Sequence, residues 1–148
     1  MTRLEKERAA PQTGNVVYTG RTHTAGGREN GASRSSDGRL DVKLSTPGSP
    51  RIGANPEQLL AAGWSACFES AIGIAARKMK ITLPADLAID AEVDLNLADD
   101  GYFLRTRLFV SLSGLEREVA QALLDEAHQT CPYSKATRGN IDVAINLV

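Results

Sequence analysis

The sequence has few cysteines, only Cys67 and Cys131 in 148 residues. Two cysteines are too few for the disulfide framework of a secreted domain, so we expect this pair to be structural, metal-binding or redox-active. An excess of charge is also lacking, because the formal net charge is −1 and acidic and basic residues are interspersed. This balance argues against nucleic acid and anionic membranes as partners, since both attract strongly basic surfaces.

Long hydrophobic stretches are missing as well. No apolar run reaches the roughly 18 residues that a membrane-spanning helix needs. Residues 1–14 are polar and charged and lack the apolar core of a secretion signal, so they are predicted to form a flexible tail. We therefore expect a soluble, cytoplasmic protein in which residues 15–148 fold as a single domain.

A long helix is predicted from Asn55 to Lys80, and it carries Cys67. Asn55 is a favourable N-cap, Pro56 suits the first helical position, and Gln58 completes a capping box. After Cys67, apolar residues recur at the three-and-four spacing of one helical face. This pattern predicts a helix that is mostly buried.

The segment Gly63-Trp64-Ser65 predicts a break in this helix. In one straight helix, Glu57 and Cys67 would lie about 15 Å apart along the axis. If the helix restarts with Ser65 as a new N-cap, Cys67 falls in the first turn, where unpaired backbone N–H groups favour a thiolate. The sequence thus predicts two helices rather than one.

Strand patterns occur on both sides of this helix, at residues 15–24, 40–45, 87–97, 102–112 and 141–148. In a symmetric hairpin, Asp94 would face Arg105 and Glu92 would face Arg107 on a solvated sheet face. A second amphipathic helix over residues 115–131 is predicted to end near Cys131, because Pro132 disfavours a helical residue before it. Strands at both ends with two helices between them predict an α+β domain with a mainly antiparallel sheet.

The two thiols suit peroxide reduction, which requires a low-pKa thiolate that becomes a sulfenic acid and a second thiol that condenses with it. Lowering a thiol pKa by two units requires about 2.7 kcal/mol, more than a helix dipole supplies. A cation beside Cys67 is therefore needed, together with a carboxylate that holds the cation in place.

Six ordered segments carry a family resemblance, and they cover nearly everything after residue 14. These are GGREN around Arg28, SSDGRLDVKLSTP at 35–47, NPEQLLAAGWSACF at 55–68, LPAD at 83–86, GLERE at 114–118 and CPYSKATRGNIDV at 131–143. Together they resemble the organic hydroperoxide resistance proteins of the OsmC-like superfamily.

The resemblance implies a thiol peroxidase that reduces organic hydroperoxides to alcohols in defence against oxidative stress. SACF implies that Cys67 is the peroxidatic cysteine, and CPYS implies that Cys131 is the resolving one. GGR identifies Arg28 as the cation that activates the thiolate, and NPEQ identifies Glu57 as the carboxylate that orients it. No bound cofactor or metal is implied; the reductant would be an external dihydrolipoyl dithiol, free or on a lipoylated protein.

The implied fold is OsmC-like, with a mainly antiparallel six-stranded sheet, a central buried helix and an intertwined homodimer.

Other interpretations of the candidate site residues stay open. The cysteines could be inert core residues of a binding or stress module, or zinc ligands together with His23 and His128. Arg28 could be an ordinary loop arginine, and Glu57 a first-turn carboxylate that complements the helix dipole. Trp64, Phe68 and Tyr133 could line an apolar pocket or simply pack in the core.

Overall fold

The computed structural model describes residues 13–148, so residues 1–12 of the predicted tail lie outside the described part. The described elements are, in order, β1 (Thr22–Ala25), α1 (Gly27–Asn30), β2 (Ala32–Ser35), β3 (Asp41–Lys43), α2 (Pro56–Met79), β4 (Ala88–Ala98), β5 (Gly101–Ser111), α3 (Arg117–Thr130), α4 (Pro132–Thr137) and β6 (Asp142–Leu147). This mixture of helices and strands confirms the predicted α+β class.

The strands form two separate three-stranded sheets. Strands β1, β2 and β3 are antiparallel, whereas in the second sheet β4 is antiparallel to β5 and β6 is parallel to β5. The expected single six-stranded sheet is therefore wrong for this chain. The long helix α2 separates β3 from β4, and β6 enters parallel to β5 because the two helices α3 and α4 form a crossover between them.

The β4–β5 hairpin has the predicted register, with Glu92 opposite Arg107 and Asp94 opposite Arg105. The ion pairs differ from the simple cross-strand expectation, because Arg107 binds both carboxylates. Its Nε donates to Glu92 at 2.8 Å, and its two terminal nitrogens donate to Asp94 at 2.6 and 2.7 Å. Hydrogen bonds from Arg107 lower the pKa of Asp94. Arg105 instead lies 3.9 Å from Asp142 on β6.

Helix α2 begins with the predicted capping box. Asn55 Oδ1 accepts from the Gln58 backbone N–H at 2.9 Å, and Gln58 Oε1 accepts from the Asn55 backbone N–H at 3.2 Å. The predicted break at Gly63 is wrong, because the helix runs unbroken from Pro56 to Met79. Ser65 caps nothing; its Oγ donates to the Ala61 carbonyl oxygen at 2.7 Å within the same helix.

Gly63 has a packing role instead. A Cβ atom at this position would lie 2.6 Å from the Tyr133 hydroxyl oxygen and 3.2 Å from the adjacent ring carbon. The absent side chain therefore makes room for Tyr133, which belongs to α4. An isolated glycine within a strong helical pattern indicates close packing as readily as a break, and here it indicates packing.

The apolar face of α2 lies against the β4–β6 sheet and against α3. Its buried residues are Trp64, Phe68, Ala71, Ile72, Ala75 and Ala76, and they share one core cluster with Leu108, Val110, Leu123 and Leu124. By length and composition alone, α2 could also cross a membrane. Its burial within this cluster is the environment of a core helix.

The first predicted strand is largely wrong. Residues 13–21 have no regular structure, and the strand β1 comprises only Thr22–Ala25. Val16, Val17 and Tyr18 are 80–98% exposed. Their composition favours a strand, but a strand requires a neighbour to accept its hydrogen bonds, and the described chain offers none to this segment.

Candidate active site

The two cysteines meet where α2, α3 and α4 come together. Cys67 lies at the middle of α2, and Cys131 is both the C-cap of α3 and the N-cap of α4. Pro132 ends α3 as predicted and starts α4 at once. Both thiols are free, Cys67 half-buried and Cys131 fully buried. The Cys131 thiol lies close enough to raise the pKa of the Cys67 thiol although 64 positions separate the two residues in sequence. Two neighbouring thiols are candidates for a reversible disulfide.

Burial raises the pKa of the Cys67 thiol above its ordinary value, and the neighbouring Cys131 raises it further. One contact opposes this effect, because the backbone N–H of Tyr133 donates to Cys67 and lowers the pKa. The expectation that Cys67 belongs to the first turn of its own helix is wrong. The backbone N–H group that lowers its pKa belongs to Tyr133 on α4.

Arg28 and Glu57 form the second predicted pair. Arg28 lies on the single-turn helix α1, whose N-cap Gly26 adopts a left-handed conformation. Its Nη2 donates to Glu57 Oε2 at 2.5 Å, and the side chains are 43% and 15% exposed. Glu57 occupies the first turn of α2, directly after Pro56. The capping box fixes this turn, so the carboxylate is held by a rigid element.

The structure does not bring the two pairs together within one chain. Because α2 is continuous, Glu57 and Cys67 are about 15 Å apart along its axis. The groups that shift the pKa of Cys67 do not include Arg28. The chain thus presents the thiol pair and the guanidinium–carboxylate pair at two separate places along α2.

A cleft of about 680 Å³ opens beside the Arg28–Glu57 pair. Its remaining wall is largely apolar and includes Pro47, Ala61, Ala91, Val93, Leu95 and Tyr102. Neither cysteine lines this cleft. The cation and the apolar surface therefore adjoin each other, and neither thiol contributes to their cleft.

Aromatic side chains lie in the same core cluster as the cysteine pair. Trp64 and Phe68 are fully buried, so core packing accounts for them. Tyr133 is 37% exposed and stacks on Trp64 with ring centroids 6.3 Å apart. Its ring lies against Gly63 while its backbone N–H reaches Cys67. Sequence reasoning singled out Tyr133 only as a flanking aromatic; the glycine one helical turn before Cys67 was the signal that α4 packs closely there.

Gly63→Ala is expected to lower the free energy of unfolding by about 1 kcal/mol. Overpacking against Tyr133 costs about 1–3 kcal/mol, and the higher helix propensity of alanine returns about 0.5–1 kcal/mol. Urea denaturation measures the change. Repeating the substitution in a Tyr133→Phe background, which removes the hydroxyl oxygen, should recover part of the loss. An alanine variant more stable than the wild type would contradict this packing role.

The two histidines do not join the cysteines. His23 is exposed on β1. His128 lies on α3 with a buried Nδ1 that has no hydrogen-bond partner, and burial lowers its pKa. Over residues 13–148, no three His, Cys, Asp or Glu side chains gather in a way that could hold a metal ion. The structure therefore does not assemble the alternative zinc site.

Comparison with known proteins agrees with this fold. The family model described as OsmC-like protein matches residues 46–146. An organic hydroperoxide resistance protein from Xanthomonas axonopodis pv. citri is 45% identical over 136 residues, which cover 89% of this chain and 95% of the relative. The chain belongs to the organic hydroperoxide resistance branch of the OsmC-like family.

Other members of this branch are similar in sequence and in structure. The organic hydroperoxide resistance protein OhrA of Bacillus subtilis is 39% identical, with 88% of this chain and 96% of the relative covered. The crystal structure of OhrB from the same organism superimposes with a TM-score of 0.84 at 39% identity, covering 90% of this chain and all of that one. The family resemblance drawn from the six sequence segments is confirmed.

Proposed function

We propose that the protein is a cysteine-based peroxidase that reduces organic hydroperoxides to alcohols in defence against oxidative stress. The observation that carries this proposal is the proximity of two free thiols, Cys67 and Cys131, in a chain of this family. Two thiols in contact are poised for reversible disulfide formation. The printed names of the relatives supply the substrate class, an organic hydroperoxide.

The proposed reaction begins with the Cys67 thiolate, which attacks the terminal oxygen of the hydroperoxide. The O–O bond breaks, the alcohol leaves after its oxygen takes up a proton, and Cys67 becomes a sulfenic acid. Cys131 then attacks the Cys67 sulfur, so that a disulfide forms and water departs. An external dihydrolipoyl dithiol, free or on a lipoylated protein, reduces this disulfide by exchange and is itself oxidised to a cyclic disulfide. No bound cofactor takes part.

A second copy of the chain would complete the site. Burial keeps the pKa of Cys67 high in one chain, so the thiolate requires a nearby cation. Its own Arg28 does not provide one, because Arg28 is bound to Glu57, which lies about 15 Å from Cys67 along α2. In a symmetric homodimer with antiparallel α2 helices that cross near Ala62, the partner subunit's Glu57 would lie level with Cys67. The partner's Arg28 would then stabilise the thiolate.

Exposed apolar surface supports this dimer. Val16, Val17, Ile52, Ile74, Leu97 and Tyr102 are all more than half exposed in the described chain. The segment 13–21 and the small β1–β3 sheet bury little against the rest of the chain, as expected for parts that pack on a partner. The cleft beside Arg28 would then receive the thiol of the partner and the organic part of the substrate. A cytoplasmic location is part of the proposal, because a reducing compartment keeps both thiols available.

Cys131→Ser is expected to stop the cycle after one peroxide. Without the second thiol, the Cys67 sulfenic acid persists and is trapped by dimedone, and turnover with dihydrolipoamide falls about 100-fold or more. Mass spectrometry of the adduct and a steady-state peroxide assay measure both effects. Ser134→Ala is the matched control, since the buried side-chain hydroxyl of Ser134 on α4 has no hydrogen-bond partner to lose. Normal cycling by Cys131→Ser would remove Cys131 from the mechanism.

A further inference from the structure

Arg51 makes an unusual set of contacts for a residue on an exposed loop. It lies between β3 and α2, where Leu44 and Ala54 form an isolated parallel bridge. Its Nε donates to the Leu44 carbonyl oxygen at 3.0 Å. Its Nη2 donates to the carbonyl oxygens of Asn30 at 3.1 Å and Gly31 at 3.4 Å. One guanidinium thus joins the loop before α2 to the end of the turn that carries Arg28.

The turn that carries Arg28 has few attachments of its own. Helix α1 buries no residue, and no side chain caps its N-terminus. It starts from Gly26 and Gly27, both at positive φ, so the chain that leads into it is conformationally permissive. At its C-terminal end, Gly31 N–H donates to Gly27 at 2.9 Å, and Leu44 N–H donates to the Gly31 carbonyl oxygen at 2.8 Å.

Arg51 therefore reinforces the one end of the turn that is tied to the rest of the chain. Of its carbonyl partners, Asn30 ends the turn that presents Arg28 to Glu57, and Gly31 directly follows it. A planar guanidinium with several fixed donors can bind carbonyl groups of two segments together, which a single ammonium group does less well. The tie passes on to the start of α2, because Ala54 N–H donates to Lys43 and Ser45 N–H donates to Ala54.

We propose that Arg51 is a positioning residue for the peroxidase reaction: it holds the α1 turn so that the Arg28 guanidinium stays on Glu57 and in place for the thiolate. This inference rests on the proposed role of Arg28 and adds a residue outside the four-residue site. Arg51 touches neither cysteine, so it acts through Arg28. Its removal should loosen the turn and leave the core of α2 and the β4–β6 sheet unchanged.

The test compares Arg51→Ala and Arg51→Lys with Arg39→Ala, a control whose side chain is 90% exposed in the β2–β3 turn. Hydrogen exchange of the peptides that contain the Gly31 and Leu44 amides reports the turn without reference to activity. The pH profile of Cys67 alkylation reports the thiolate. We expect Arg51→Ala to speed exchange at these amides, to shift the alkylation midpoint to higher pH and to slow peroxide reduction about 10-fold to 100-fold. Arg51→Lys should recover only a small part of the peroxide reduction that Arg51→Ala loses.

A double variant separates positioning from general damage. In an Arg28→Ala background, Arg51→Ala should still speed hydrogen exchange but should cause no further loss of Cys67 reactivity. The inference is overturned if Arg51→Ala matches Arg39→Ala in both measurements. It is also overturned if Arg51→Ala speeds exchange but leaves Cys67 reactivity at the wild-type level, while Arg28→Ala reduces that reactivity. In that case the proposed function stands. An Arg28→Ala variant with unchanged reactivity would overturn both the role of Arg28 and this inference.

Discussion

Mixed dimers of one Cys67→Ser chain and one Arg28→Ala chain are expected to be active, although each variant alone is not. If the partner's Arg28 stabilises the Cys67 thiolate, one of the two sites in such a dimer contains both an intact thiol and an intact guanidinium. Differently tagged, purified mixed dimers should therefore reach about half of the wild-type turnover. The two parent homodimers should each lose about 100-fold or more, because one lacks the attacking thiol and the other lacks the cation that stabilises the thiolate.

The control is a mixed dimer of Cys67→Ser with Arg39→Ala, which should also retain about half of the activity because Arg39 lies exposed in a turn. This pair tests whether tagging and mixing preserve a working site. An inactive Cys67→Ser/Arg28→Ala dimer beside an active control would contradict the shared site. Glu57 and Cys67 of one helix would then have to come together by some other route, across about 15 Å.

Cys67→Ser is expected to abolish hydroperoxide reduction, with a loss on the order of 1,000-fold or more in kcat/KM. A serine hydroxyl is not ionised at neutral pH and is a poor nucleophile toward peroxide oxygen, whereas a stabilised thiolate is a good one. The measurement is consumption of cumene hydroperoxide with dihydrolipoamide as the reductant. Cys131→Ser serves as the comparison, because it should still consume one equivalent. Sustained turnover by Cys67→Ser would show that another group attacks the peroxide.

The hairpin and the helix boundaries were the most predictable parts of the fold. The period-two alternation fixed the register that places Glu92 opposite Arg107, and the capping box at Asn55 and the effect of Pro132 fixed where helices begin and end. These features depend on local chemistry. Sheet number and strand pairing depend on distant segments, and there the expectations of a single sheet and of an N-terminal strand at 15–24 were wrong.

For the candidate site, sequence motifs named four residues, and the structure arranges them as two contacting pairs, Arg28 with Glu57 and Cys67 with Cys131. Spacing alone led to a predicted helix break at Gly63 that would have brought the pairs closer. The helix is continuous because the missing side chain of Gly63 admits Tyr133 rather than ending the hydrogen-bond ladder. A tertiary contact of this kind is not encoded in local propensity.

Some residues around the site carry no motif. The Tyr133 backbone N–H that reaches Cys67 has no sequence pattern, because any residue except proline presents the same group. In the sequence, Arg51 is one charge in a loop rich in proline and glycine. Only the folded arrangement of three carbonyl groups distinguishes it from other arginines. Such positioning contacts can be found only once the chain segments have been placed.

The most direct test of the peroxidase mechanism is a count of free thiols in the reduced protein after one equivalent of cumene hydroperoxide. The account predicts that both thiols are lost together, that the peptides carrying Cys67 and Cys131 become linked, and that a dithiol restores both. Two thiols that remain free while the peroxide stays unconsumed would contradict it and would favour a binding or stress module with inert cysteines.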